Sequence, residues 1–156
     1  MSETRTLAVD LDGALADTGP LWQAWLDAVA SVLDVDVAAL PTDRGAAAAV
    51  LDERAGNWRA LLERFCEERV AVYVRRDPAT SEALRALAAG GWEIAIVTDA
   101  PEPLARLVLA QIGADRRVSH LETGTDAVER LRAELSSEPV VVTRRDELLA
   151  LAVRAS

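Results

Sequence analysis

Short aliphatic runs at residues 6–9, 92–97 and 139–142 each pass abruptly into polar residues: Asp10 after Val9, Thr98 after Val97, Thr143 after Val142. Runs this short and this apolar read as strands buried on both faces. Between them the apolar residues recur at helical spacing, over 78–89, 102–112 and 126–135, with a further short strand at 117–121 and a last helix after 142. Buried strands alternating with amphipathic helices fit a parallel sheet joined by right-handed crossovers and covered by helices.

One stretch breaks the alternation. Gly19-Pro20 opens a helix in which Trp22, Trp25, Leu26, Val29, Val32 and Leu33 share a face, because proline suits a first helical turn. An Ala-rich helix follows the Pro41-Thr42-Asp43 break, and Asn57 is placed to cap a longer one carrying Trp58, Leu61, Leu62, Phe65, Cys66 and Val70. A chain of 156 residues that is 51% hydrophobic can bury one good core with an insertion. The expected architecture is a three-layer, Rossmann-like α/β core formed by residues 1–18 and 77–156, with 19–76 inserted as an all-helical cap.

The formal net charge of −9 argues against nucleic acid or an anionic membrane as partner, so any phosphate site must be local. All 17 basic residues are arginine. A single cysteine, Cys66, excludes an internal disulfide, and its place on an apolar stripe makes it core. The N-terminal residues do not read as a signal peptide and no apolar run approaches spanning length, which predicts a cytoplasmic protein. His120, the only histidine, has no visible triad partner or metal-ligand spacing.

In open α/β sheets ligands sit beyond the carboxyl ends of the strands. Those places hold Asp10 and Asp12, Thr98 and Asp99, and Thr143 and Arg144. Carboxylates one residue apart repel unless a proton or a cation lies between them, which suggests a nucleophile and an acid/base beside a positive charge. Asp17 and Thr18, just before Gly19-Pro20, read as helix caps, and Thr143 with Asp146 reads as a capping box.

Asp10-Leu11-Asp12-Gly13-Ala14-Leu15-Ala16-Asp17-Thr18 resembles the first motif of the haloacid-dehalogenase superfamily, and Ile96-Val97-Thr98-Asp99 resembles its second. The helical block resembles the small cap of the phosphoglycolate-phosphatase-like members. The resemblance implies Asp10 as the nucleophile attacking phosphorus, Asp12 as general acid/base and Thr98 as a donor to the phosphoryl oxygens. Mg²⁺ would be held by Asp10 and the Asp12 carbonyl, with a small phosphorylated metabolite as substrate.

The sequence departs from that pattern twice. Residues 122–126 contain no base where the third motif carries Lys or Arg, and Arg130 and Arg132 lie further along. Arg144 stands where the fourth motif carries a metal-binding acid, with Asp146 or Glu147 as substitutes. Arg144 and Arg145 fall in the first turn of a helix, where the macrodipole disfavours cations by about 0.3–1 kcal/mol, so anions nearby are expected. Arg144 is therefore expected to pair with Asp10 or Asp12 in place of a metal. Three readings follow: a non-catalytic module binding a phosphorylated ligand or a protein partner, an inefficient Mg²⁺-dependent phosphatase, and a metal-free dehalogenase, against which Asp12 argues.

Overall fold

A computed structural model describes residues 4–155. Its sheet has four parallel strands in the order β3-β2-β1-β4: β1 Arg5–Asp10, β2 Trp92–Thr98, β3 Val118–Thr123 and β4 Val140–Val142. The Asp10 strand is interior, pairing with β2 from Arg5↔Trp92 to Asp10↔Val97 and with β4 from Leu7↔Val140 to Val9↔Val142. β1, β2 and β4 lie where the aliphatic runs place them; the interior pair β1 and β2 is buried almost throughout, while the edge strands β3 and β4 are only partly covered.

Seven α-helices accompany the sheet among the described residues: α1 Gly19–Val29, α2 Arg44–Arg54, α3 Trp58–Tyr73, α4 Pro78–Ala89, α5 Glu102–Ile112, α6 Ala127–Glu134 and α7 Arg145–Ala155. Side chains alternate across the strands. Leu7, Val9, Ile94, Ile96 and Val142 join a large cluster with α1–α5 and α7. Ala8, Ala95 and Val97 join a small one with Ala127 and Leu131 of α6.

Helices α1–α3 share the large cluster with the sheet. Helix α3 lies against α5, and Trp22, Trp25 and Trp58 stack at centroid separations of 5.3 and 5.9 Å. Trp25 and Trp58 are fully buried, so the aromatic spacing read from the sequence is core packing.

Two local differences concern the site. Between β1 and α1 the chain makes a single π-helical turn, Leu11–Leu15, entered at Asp10, whose Oδ1 accepts the Asp12 N–H at 3.2 Å. Helix α7 begins at Arg145, leaving Arg144 at its N-cap, and the capping box does not form: the Thr143 hydroxyl donates to Glu147 Oε1 at 3.3 Å, and Asp146 Oδ1 accepts the Glu147 N–H at 3.0 Å.

Candidate active site

The carboxyl ends of β1 and β2 lie side by side, which brings Asp10 and Asp12 to Thr98 and Asp99. The turn after Asp10 folds tightly onto the end of β4. A Cβ on Gly13 would fall 1.9 Å from the Thr143 carbonyl oxygen, so this position takes glycine because a backbone lies against it.

The positive charge that the aspartates require comes from α2. Arg44 is buried, its side chain 9% exposed, and its guanidinium makes four hydrogen bonds. Nη2 donates to Asp12 Oδ2 at 2.6 Å and to Asp99 Oδ1 at 2.8 Å, Nε donates to the same Asp99 oxygen at 2.9 Å, and Nη1 donates to the Thr18 hydroxyl at 2.5 Å. The Arg44 backbone N–H reaches Asp99 Oδ2 at 3.0 Å, so Asp99 also satisfies an orphan donor of the helix start. A cation at a helix N-terminus is otherwise unfavourable, and the two carboxylates remove the conflict.

Helix α2 is seated by its neighbours in sequence. Asp43 caps it, accepting the Ala46 N–H at 2.8 Å, and the same Oδ2 accepts the Thr125 hydroxyl from the loop after β3. A Cβ on Gly45 would lie 2.2 Å from Thr125 N and 2.9 Å from the Gly124 carbonyl carbon. Arg130 braces that loop from α6, donating to the Thr123 and Thr125 carbonyls. Asp43, Arg44 and Gly45 therefore form one junction between α2 and the sheet.

Asp12 is saturated by this arrangement. Besides Arg44 it accepts the Thr18 N–H at 2.9 Å, the Thr18 hydroxyl, and the Thr98 hydroxyl at 3.2 Å. Burial pushes its pKa up, but the Arg44 charge and the Thr18 donors outweigh that and hold it below the usual carboxylate value. Asp10 goes the other way: burial, reinforced by the charges of Asp12 and Asp99, raises its pKa despite the Asp12 N–H. Arg44 is pushed up by Asp12 and Asp99 against the effect of burial. A cavity of about 560 Å³ opens over the group, bounded by Asp10, Asp12, Arg44, Thr98, Asp99 and the start of α6. Asp126, in the left-handed region at φ 59°, lines its rim.

Several residues fall elsewhere than their sequence positions suggest. Arg144 does not meet Asp10 or Asp12: its side chain is 69% exposed, with Nε 3.1 Å from Glu147 and 3.5 Å from Asp146. Arg145 pairs with Asp77 at 2.6 Å, joining the starts of α7 and α4. Asp146, 75% exposed, is spent on Arg144 and the Glu147 N–H. Thr18 holds the N-cap position of α1 but makes no side-chain capping bond: it is fully buried and gives its hydroxyl to Asp12, while Asp17 accepts the Gly19 N–H at 3.1 Å. Thr98 spends its hydroxyl internally, donating to Asp12 and accepting the Ala100 N–H at 3.1 Å.

The donor set does not fit Mg²⁺. That ion needs several oxygens in near-octahedral array, yet the end of β4 supplies no acid beside Asp10: Arg144 and Asp146 are turned to solvent, and what lies against the Asp10–Gly13 turn is the Thr143 carbonyl. Among the described residues no group of three or more His, Cys, Asp or Glu side chains is placed to hold a metal.

No curated protein matches the chain. Among solved structures, CbbY from Rhodobacter sphaeroides in complex with xylulose-(1,5)bisphosphate superposes with a TM-score of 0.54 at 16% identity, covering 98% of this chain and 72% of that one. A protein from Thermotoga maritima assigned as a β-phosphoglucomutase gives 0.51 at 17%, covering 96% and 82%. One from Haemophilus somnus assigned as a phosphoglycolate phosphatase gives 0.51 at 22%, covering 80% and 64%. These identities speak to the fold. The family described as haloacid dehalogenase-like hydrolase matches residues 7–154, which include Asp10, Asp12, Thr98 and all four strands except Arg5 and Thr6 of β1. With its aspartate pair at the end of an interior parallel strand and a threonine at the end of the next, the chain belongs to the haloacid dehalogenase-like hydrolases.

Proposed function

We propose that this member holds a small phosphorylated ligand without efficient turnover, Arg44 serving as the fixed counter-charge of the aspartate pair. The observation that carries the reading is the four-bonded guanidinium on Asp12, Asp99 and Thr18. A general acid must carry a proton near neutral pH to protonate a leaving alkoxide, and Asp12 is held in its ionised form. The phosphoryl group of a ligand would be received by Arg44 in exchange for Asp99, the more exposed of its two carboxylate partners at 35%. A protein as the ligand and a cytoplasmic setting belong to the same reading, since neither needs turnover.

The test is hydrolysis of p-nitrophenyl phosphate with and without Mg²⁺, alongside calorimetric titration of inorganic phosphate. The expected result is phosphate binding that Arg44→Ala abolishes, with no hydrolysis above buffer. Mg²⁺-dependent hydrolysis that Asp10→Asn removes would overturn it.

That outcome is what a second reading expects. Asp10 takes no hydrogen bond from Arg44 and faces the cavity. A phosphoryl group drawing Arg44 away would release Asp12 and restore an acid/base beside a nucleophile.

A further inference from the structure

Strand β4 is an edge of the sheet, hydrogen-bonded only to β1. The other edge, β3, is protected: its pairing with β2 is irregular at Ile94/Ala95, and it carries His120 and Glu122, the latter 3.6 Å from Arg130. Edge β4 carries three valines, and Val140 is 44% exposed. Beside it, between strand and helix α7, runs a groove of about 390 Å³ lined by Val140, Val142, Asp146, Glu147, Leu151 and Arg154.

The groove is polar at its ends and aliphatic in the middle. At about 1.5 Å rise per residue, Glu147 and Arg154 stand roughly 10 Å apart along α7. Asp146, Ala150 and Arg154 recur every fourth residue and share a face. At the acidic end two carboxylates share one guanidinium, that of Arg144, which leaves the end negative. At the basic end, Arg154 is exposed and makes no ion pair among the described residues.

We propose that two copies of this chain pair through β4, antiparallel about a two-fold axis normal to the sheet. Centred on Val141, this arrangement sets Val140 beside the partner's Val142, continues the sheet across the interface, and lays the two α7 helices side by side on one face. Each Arg154 then meets the acidic end of the other α7, and the aliphatic middles cover each other. The charge order along α7 selects a second copy as occupant, since antiparallel apposition matches both ends at once. A strand of three residues offers few ladder bonds, so the dimer is weak, with a dissociation constant of micromolar order and an interface at the small end of specific ones. This inference is independent of what the aspartate site does.

Sedimentation velocity on the full chain across the micromolar range tests it. The wild type is expected to shift toward twice the chain mass as concentration rises. Val140→Lys, a change at an exposed position, should keep it monomeric. Arg154→Glu alone and Asp146→Arg with Glu147→Arg should each weaken association at least tenfold by placing like charges together, and an equimolar mixture of the two should dimerise again because both end contacts are restored. A chain monomeric throughout that range, a dimer indifferent to Val140→Lys, or a mixture that stays monomeric overturns the proposal. So does capture of an unrelated strand at β4 with no self-association.

Discussion

Arg44→Ala is the perturbation that separates a structural counter-charge from an incidental contact. It removes four guanidinium hydrogen bonds and leaves Asp12, Asp99 and the fully buried Thr18 hydroxyl facing one another. Breaking a buried ion pair by deleting one partner typically costs about 3–5 kcal/mol. Asp12 and Asp99 keep 28% and 35% of their side chains exposed, so water compensates in part, and about 2–3 kcal/mol is the expected loss. For a chain of this size that lowers the melting temperature by roughly 5–10 °C at pH 7. The loss must depend on pH. Asp12 has its folded pKa depressed, so its contribution is fully present above the unfolded value of about 3.9 and disappears as pH falls through the lower folded value. Melting scans of both proteins at pH 7 and at about pH 3 should therefore show a gap that narrows in acid. The variant should also melt higher with added Mg²⁺ while the wild type does not, because uncompensated carboxylates attract a dication. A shift of only about 1–2 °C, as an exposed arginine would give, or a gap equal at both pH values, refutes the reasoning.

Two further outcomes are expected. Gly45→Ala gains up to about 1 kcal/mol of helix propensity but drives a Cβ into the Thr125 and Gly124 backbone, where overpacking costs about 1–3 kcal/mol, so it should destabilise and speed hydrogen exchange in the first turn of α2 and at 124–125; a stabilised variant would sink the close-contact reading. Burial pushes the Cys66 thiol up to about 12, so a thiol reagent should label the chain only as fast as it unfolds; fast labelling of the native protein would show that α3 opens locally.

The strands and helices were legible because each is determined locally. The run Val140–Val142 is short and β-branched, which favours a strand, and Asp77-Pro78 starts α4 as its cap and first residue, with Asp77 Oδ1 accepting the Ala79 N–H. Asp10, Asp12, Thr98 and Asp99 were legible for a related reason, since strand ends in a parallel sheet converge. Arg44 was not, because its contact with Asp99 spans 55 residues. A signal did exist: Arg44 is a cation in the first turn of an Ala-rich helix, the same conflict that pointed to Arg144. At 144 the conflict is settled by adjacent Glu147 and Asp146, at 44 by acids from two strand ends. The rule that such a cation needs an anion held at both places, and only the tertiary fold says which anion.

The origin of the counter-charge matters more than its sign. A lysine or arginine on a strand end would stay beside the aspartates whatever α2 did. Arg44 rides on α2, and its place depends on Asp43 reaching Thr125, on Gly45 leaving room for the Gly124–Thr125 backbone, and on Asp99 accepting both the Arg44 N–H and its guanidinium. Asp12 consequently has the Arg44 charge that lowers its pKa only while α2 is docked. Once α2 lifts, burial and the repulsion of neighbouring carboxylates act on the pair without opposition, and the pKa of at least one of them must rise. The state of the acid at the sheet and the position of a helix more than thirty residues further along the chain are therefore one equilibrium, and a ligand that prefers either form of the carboxylate shifts the helix with it.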